Sequence, residues 1–138
     1  MKFLLDTNVI SESVKTSPNK ATLDQIKRHQ LEIATAAPVW HELYFGCHRL
    51  PSSRKRDIIE TFLNDVLRPN MIILPYDEKS AQWHAKERAR LSSLGQTPAF
   101  VDGQIAAIAR VNSLILVTRN TTDFKKFSGL KIKNWYRK

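Results

Sequence analysis

Short, largely apolar runs separated by longer stretches of helical periodicity constrain this chain more than any other feature. Five runs read as strands: residues 2–5, 32–36, 71–74, 114–117 and 130–132. Residues 3–5 of the first and the whole of the fourth are apolar without a break, the pattern of strands buried on both faces rather than wetted on one. Strands alternating with helices imply an α/β fold, a parallel sheet flanked by helices on both faces. Such sheets take ligands in the crevice beyond the carboxyl ends of their strands. Two polar segments stand at those ends: Asp6-Thr7-Asn8 after the first run and Thr118-Arg119-Asn120 after the fourth.

The helical stretches have readable boundaries. A short helix covers 9–14, and Pro18 opens a second one with Ala21, Leu23, Ile26 and His29 on its periodic faces. Pro38 opens a helix reaching Leu50, with Val39, Leu43, Gly46 and Leu50 as its core stripe, followed by another over 53–67. A long helix over 77–94 is closed by Gly95, and Thr97-Pro98 reads as the N-cap and first residue of a helix reaching Asn112. A last short helix covers 121–127. With no repeat, low-complexity tract or linker, residues 1–138 read as a single domain.

Bulk properties narrow the function classes. The formal net charge is +9, from 22 Lys and Arg against 13 Asp and Glu, so the long-range field favours polyanions, nucleic acid first. No apolar run is long enough to span a bilayer, and the start has no signal-peptide pattern. A lone Cys47 excludes an internal disulfide and a multi-thiolate zinc site, and fits a cytoplasmic setting.

Four acids stand out against their neighbours. Asp6 ends the first apolar run. Glu42 lies beside the core stripe of its helix, four residues before Gly46, where a bare backbone admits close approach. With Thr97 as cap, Asp102 falls beyond the first turn of its helix, on a face shared with Ile105, Ala106 and Ala109. A lone carboxylate buried there is costly unless a cation or basic group offsets it. Asp123 lies one turn beyond the strand that should border Asp6; a dipole partner at a helix start is its ordinary reading. Carboxylates converging on one crevice repel one another unless a cation lies between them. Oxygen ligands without a thiolate cluster select Mg²⁺ or Mn²⁺ over zinc, and such clusters serve phosphodiester hydrolysis.

The segments LLDTNVISE, WHELYFG, TPAFVDGQIAAIA and LVTRNTTDF together resemble the PIN-domain ribonucleases, of the VapC and FitB toxin type, in the family's order and spacing. The resemblance runs from Leu4 to Phe124 and implies a PIN-like fold with a parallel sheet of about five strands. It implies that Asp6, Glu42 and Asp102 are the three core acids and Asp123 the fourth, gathered around Mg²⁺ or Mn²⁺ to cleave RNA. Thr7, Asn8, Thr118 and Asn120 match the supporting polar positions. A homodimer is implied, as is a cognate antitoxin whose C-terminal segment occupies the active-site groove. Ala99 departs from the second proline or bulkier apolar residue often found there.

Other residues have more ordinary readings. The four histidines share no metal-ligand spacing with the cysteine; Cys47 reads as a packed side chain, and Trp40, Tyr44 and Phe45 as core or interface. Asn8 is expected to cap the first helix, which frees Asp6 to face the crevice. Arg119 beside the acids is a candidate phosphate contact. Among the basic stretches 49–56, 86–90 and 125–138, the last is the best RNA path, with Trp135 and Tyr136 available to stack on bases and Arg137 and Lys138 to contact substrate. A phosphatase of the aspartyl-nucleophile type would need a second Asp where Asn8 stands. A PIN-shaped binding module without activity, and a nuclease acting on DNA, remain the alternatives.

Overall fold

A computed structural model describes residues 1–136, so Arg137 and Lys138 lie outside the described residues. β1 (Phe3–Leu5) has all three side chains buried and pairs in parallel with β2 (Ile33–Ala36) on one side and β4 (Ile115–Val117) on the other. β3 (Ile72–Leu74) and β5 (Ile132–Lys133) close the two edges, giving the order β3-β2-β1-β4-β5, parallel throughout. The register sets Phe3 opposite Ile33 and Ile115, and Leu5 opposite Val117. These central strands carry apolar side chains on both faces because helices cover both.

α1 (Thr7–Ser11) continues as a single 3-10 turn over Glu12–Val14, and α2 (Lys20–Arg28) follows. Asn19 caps α2 through the Thr22 amide, so Pro18 lies outside that helix rather than opening it. α3 (Ala37–His48) begins one residue ahead of Pro38, whose fixed φ and missing donor suit the first turn. α4 (Arg54–Thr61), capped by Ser53, then widens into a π-helical segment over Phe62–Leu67 before the single turn α5 (Arg68–Asn70). A uniform 3.6-residue helix was the expectation there; the wider turn buries Leu63 and Leu67 and leaves Val66 half exposed. The core stripe of α3 also differs, since Val39 and Cys47 are buried while Leu43, Gly46 and Leu50 are only partly so.

α6 (Glu78–Ser93) is capped by Asp77 and terminated by Gly95 at φ 71°, a backbone conformation that glycine adopts without a Cβ penalty. α7 (Phe100–Val111) lies against it with Ile105, Ala106, Ala107, Ile108 and Ala109 all buried. α8 (Thr121–Phe124) is shorter than its expected span. Trp135, expected to stack on bases, is instead a core residue at 5% exposure, its ring 5.0 Å from Phe3 and 5.4 Å from His29. Among the described residues no helix is long and apolar enough to cross a membrane.

Candidate active site

The chain leaves β1 towards β2 and β3, then crosses back to β4 on the other side of β1. The crevice beyond the ends of β1 and β4 is therefore the point where the winding reverses, the place such sheets reserve for ligands. Asp6 follows β1 directly. Its backbone N–H donates to the Val117 carbonyl at 2.9 Å, which locks the loop against β4. Its Oδ1 accepts from the Thr7 amide at 2.8 Å, so Asp6 itself caps α1. Asn8 does not cap that helix, as was expected of it.

The other oxygen of Asp6 faces β4. Thr118, fully buried, donates its hydroxyl to Asp6 Oδ2 at 2.7 Å and accepts the Asn120 amide at 3.0 Å. Asn8 Nδ2 lies 3.5 Å from the same oxygen, and Asn8 Oδ1 accepts the Arg119 amide at 3.2 Å. Thr7 and Asn120 thus support the crevice through their backbone amides, Asn8 and Thr118 through their side chains. Thr35 donates to the Leu5 carbonyl at 2.9 Å and steadies the end of β1 from the neighbouring strand.

Asp102 reaches the same crevice from α7. The helix starts at Phe100 with Ala99 at its cap, while the Thr97 hydroxyl is bonded to Ser92 at 2.8 Å. Asp102 therefore sits within the first turn, where the helix dipole favours a carboxylate, and not beyond it as the assumed Thr97 cap implied. Glu42 is exposed on α3, and Asp123 is exposed in the first turn of α8. No group comes close to Gly46, where an added Cβ would meet nothing within 4 Å.

Charge links these acids pairwise, through Asp6 and Asp102. Burial pushes the Asp6 carboxyl up against its hydrogen bonds from Thr118, Thr7 and Asn8, and the Glu42 charge pushes the same way. Asp102 is raised by burial first, then by the charges of Asp6 and Asp123, with Lys126 near enough to oppose them. The donor set is all oxygen, and its repulsion is of the kind a hard cation relieves. The side chains nonetheless stand apart: among the described residues no three His, Cys, Asp or Glu groups are gathered closely enough to hold a metal ion.

Several groups around the site were not singled out from sequence. Glu12 and Glu87 are buried, at 2% and 7% exposure. Glu87 accepts Arg90 Nε and Nη2, each at 2.9 Å, and the Ser128 amide at 2.7 Å, while Arg90 also donates to the Lys126 carbonyl, pinning the segment after α8 to α6. His84 is buried with Nδ1 bonded to the Tyr76 hydroxyl at 2.8 Å, and its ring is pressed against Gly103, next to Asp102. Arg119, which the sequence did single out as a candidate phosphate contact, is exposed beside Asn8 and lies over the Tyr136 ring. An apolar cavity of about 370 Å³ between α1, α2 and the π-helical segment contains none of the acids.

Comparison with known proteins identifies the family and the fold. A family model described as the PIN domain matches residues 3–130. A VapC ribonuclease of Sinorhizobium fredii is 33% identical over 134 residues, covering 95% of each chain. Toxin FitB of Neisseria gonorrhoeae is 35% identical over 124 residues, covering 88% of this chain and 89% of that one. The crystal structure of FitAcB from Neisseria gonorrhoeae superposes with a TM-score of 0.91 at 30% identity, covering 99% of both chains.

Proposed function

The chain belongs to the PIN-domain family, and on that premise we propose that it is the endoribonuclease toxin of a toxin–antitoxin module, dependent on Mg²⁺ or Mn²⁺. The single observation that supports this reading is the place of Asp6 at the switch point between β1 and β4, where Glu42 raises its carboxyl and Asp6 and Asp123 in turn raise that of Asp102. The names of its relatives, a VapC ribonuclease and toxin FitB, support the activity and the role.

In this proposal Asp6, Asp102 and Asp123, with Glu42 at the rim, are the residues that would hold the divalent cation, their separated side chains drawing in around it. When bound, it supplies neutralisation of the scissile phosphate and activation of a water. The chain's own contribution is orientation. Thr118 and the Thr7 amide hold the two oxygens of Asp6 in fixed directions. The first turn of α7 steadies Asp102. Lys126 and Arg119 supply positive charge around the acids, and the net charge of +9 draws the polyanion in. A cognate antitoxin covering the groove, pairing of two copies and a cytoplasmic setting belong to the same proposal, the last consistent with the buried free thiol of Cys47.

The test is cleavage of structured RNA by the full-length, antitoxin-free protein in Mg²⁺ or Mn²⁺. Cleavage is expected, and both EDTA and Asp6→Asn should abolish it. Cleavage that survives Asp6→Asn would overturn the site, and cleavage that survives EDTA would overturn the metal.

A further inference from the structure

Glu12 takes no part in the chemistry above, yet it is among the most completely buried polar groups in the protein. Its carboxylate accepts from Lys15 Nζ at 2.6 Å, from the Asn19 amide at 2.7 Å and from the Tyr136 hydroxyl at 3.0 Å. A carboxylate buried at this depth is tolerated because those donors replace water. The Tyr136 hydroxyl also lies 2.8 Å from the Asn8 carbonyl, so its one proton is shared between two acceptors. Trp135 fixes the backbone just before it, buried in the core with its carbonyl accepting the Thr22 hydroxyl at 3.3 Å. Tyr136 is therefore held from both ends, with its ring at the edge of the acid crevice.

Arg119 uses that ring. Its guanidinium carbon lies 4.9 Å from the Tyr136 centroid, and its own amide is bonded to Asn8 Oδ1. It pairs with no carboxylate among the described residues. Stacking covers one face of the guanidinium and leaves its N–H edges free, in the planar fork that matches a phosphate. A free surface arginine loses rotamer freedom when it binds; one already stacked loses less.

We propose that Glu12, Tyr136 and Arg119 form a phosphate-binding rim, in which Arg119 receives a backbone phosphate of single-stranded RNA flanking the acid crevice. Glu12 and Tyr136 are positioning residues that set the direction of its guanidinium. This rests on reading the crevice as the nucleic-acid site.

The experiment measures binding of a short fluorescent single-stranded RNA to the full chain, with Asp102→Asn as a cleavage-silent background, over a range of KCl. Arg119→Gln should weaken binding about tenfold, the size expected for one charged hydrogen-bonded contact. It should also reduce the slope of log affinity against log salt by about 0.7, the share of one phosphate on a single strand. Tyr136→Leu should lose a similar affinity although it removes no charge, and adding it to Arg119→Gln should cost little more. Tyr136→Phe, which keeps the ring and loses the tie to Glu12 and Asn8, should fall between. Arg110→Gln, remote on α7, should bind as the parent does. An unchanged affinity and salt slope in Arg119→Gln would overturn the rim, as would strictly additive losses from Arg119 and Tyr136. Should the wild type cleave RNA while Arg119→Gln binds normally, the rim fails and the nuclease reading stands; the reverse pattern sinks the nuclease reading alone.

Discussion

Gly103→Ala is the most severe small perturbation near the site, and its cost follows from one contact. A Cβ on Gly103 would lie 2.1 Å from His84 Nε2, 2.5 Å from Cδ2 and 2.9 Å from Cε1. Real atoms do not approach so closely, so the buried imidazole must move or α7 must shift, carrying Asp102 with it. Overpacking of this kind costs about 1–3 kcal/mol, and losing the Tyr76–His84 hydrogen bond adds roughly 1 kcal/mol. Replacing glycine by alanine inside a helix returns about 1 kcal/mol. The net is a loss of about 2 kcal/mol, a drop in melting temperature of roughly 6–8 °C for a domain of this size. Thermal unfolding followed by circular dichroism reads this directly. His84→Ala is itself destabilising, but in the double variant the added methyl enters space the ring has left. The double variant should therefore be more stable than the sum of the singles by at least about 1 kcal/mol. A Gly103→Ala protein that melts with the wild type, or singles that simply add, would refute the packing argument.

His84 also predicts a pH dependence. Burial, helped by the nearby Arg88 charge, lowers its pKa in the folded protein, so below about pH 6.5 the unfolded chain binds the extra proton and the folded chain resists it. The stability that neutral His84 provides is present above that pH and lost as pH falls towards the folded value; denaturant unfolding should show this loss in the wild type and a flatter profile in His84→Gln. Asp102→Asn should remove repulsion with Asp6 and Asp123, raising the metal-free melting temperature by about 1–3 °C, while RNA cleavage is lost; a lower melting temperature would mean that Asp102 is held by partners rather than strained by them.

The crevice was legible because the rule for parallel sheets needs only strand ends, and apolar runs of the kind at 2–5 and 114–117 mark those ends well. Asp6 and Thr118 then meet by topology alone. Asp102 was singled out for a partly mistaken reason: its apolar face is real, but Thr97 is not the cap, because its hydroxyl turns back to Ser92. Local capping signals compete with tertiary contacts, and here the contact between α6 and α7 decided. Glu12 and Glu87 escaped notice because their burial depends on partners far along the chain, Tyr136 and Ser128. Lys15 and Arg90, three residues on from each, were the only local signals, and that spacing is equally common on solvated helices. Trp135 was misread for a similar reason: an aromatic among basic residues looks like a stacking platform until its packing partners Phe3 and His29 are known.

The pairing of β1 with β4 has a consequence in time. Asp6 leaves the ribosome 112 residues ahead of Thr118, yet that residue's hydroxyl orients its carboxylate, and the carbonyl that receives its amide belongs to Val117. A nascent chain lacking these residues has the first acid without its supports, and it lacks Asp123 altogether. Because domains fold as units once their distant partners are present, the site assembles only after residues 117–123 have been made. The order of strands in the sheet thus works as a delay, keeping the acids apart until β4 has joined β1.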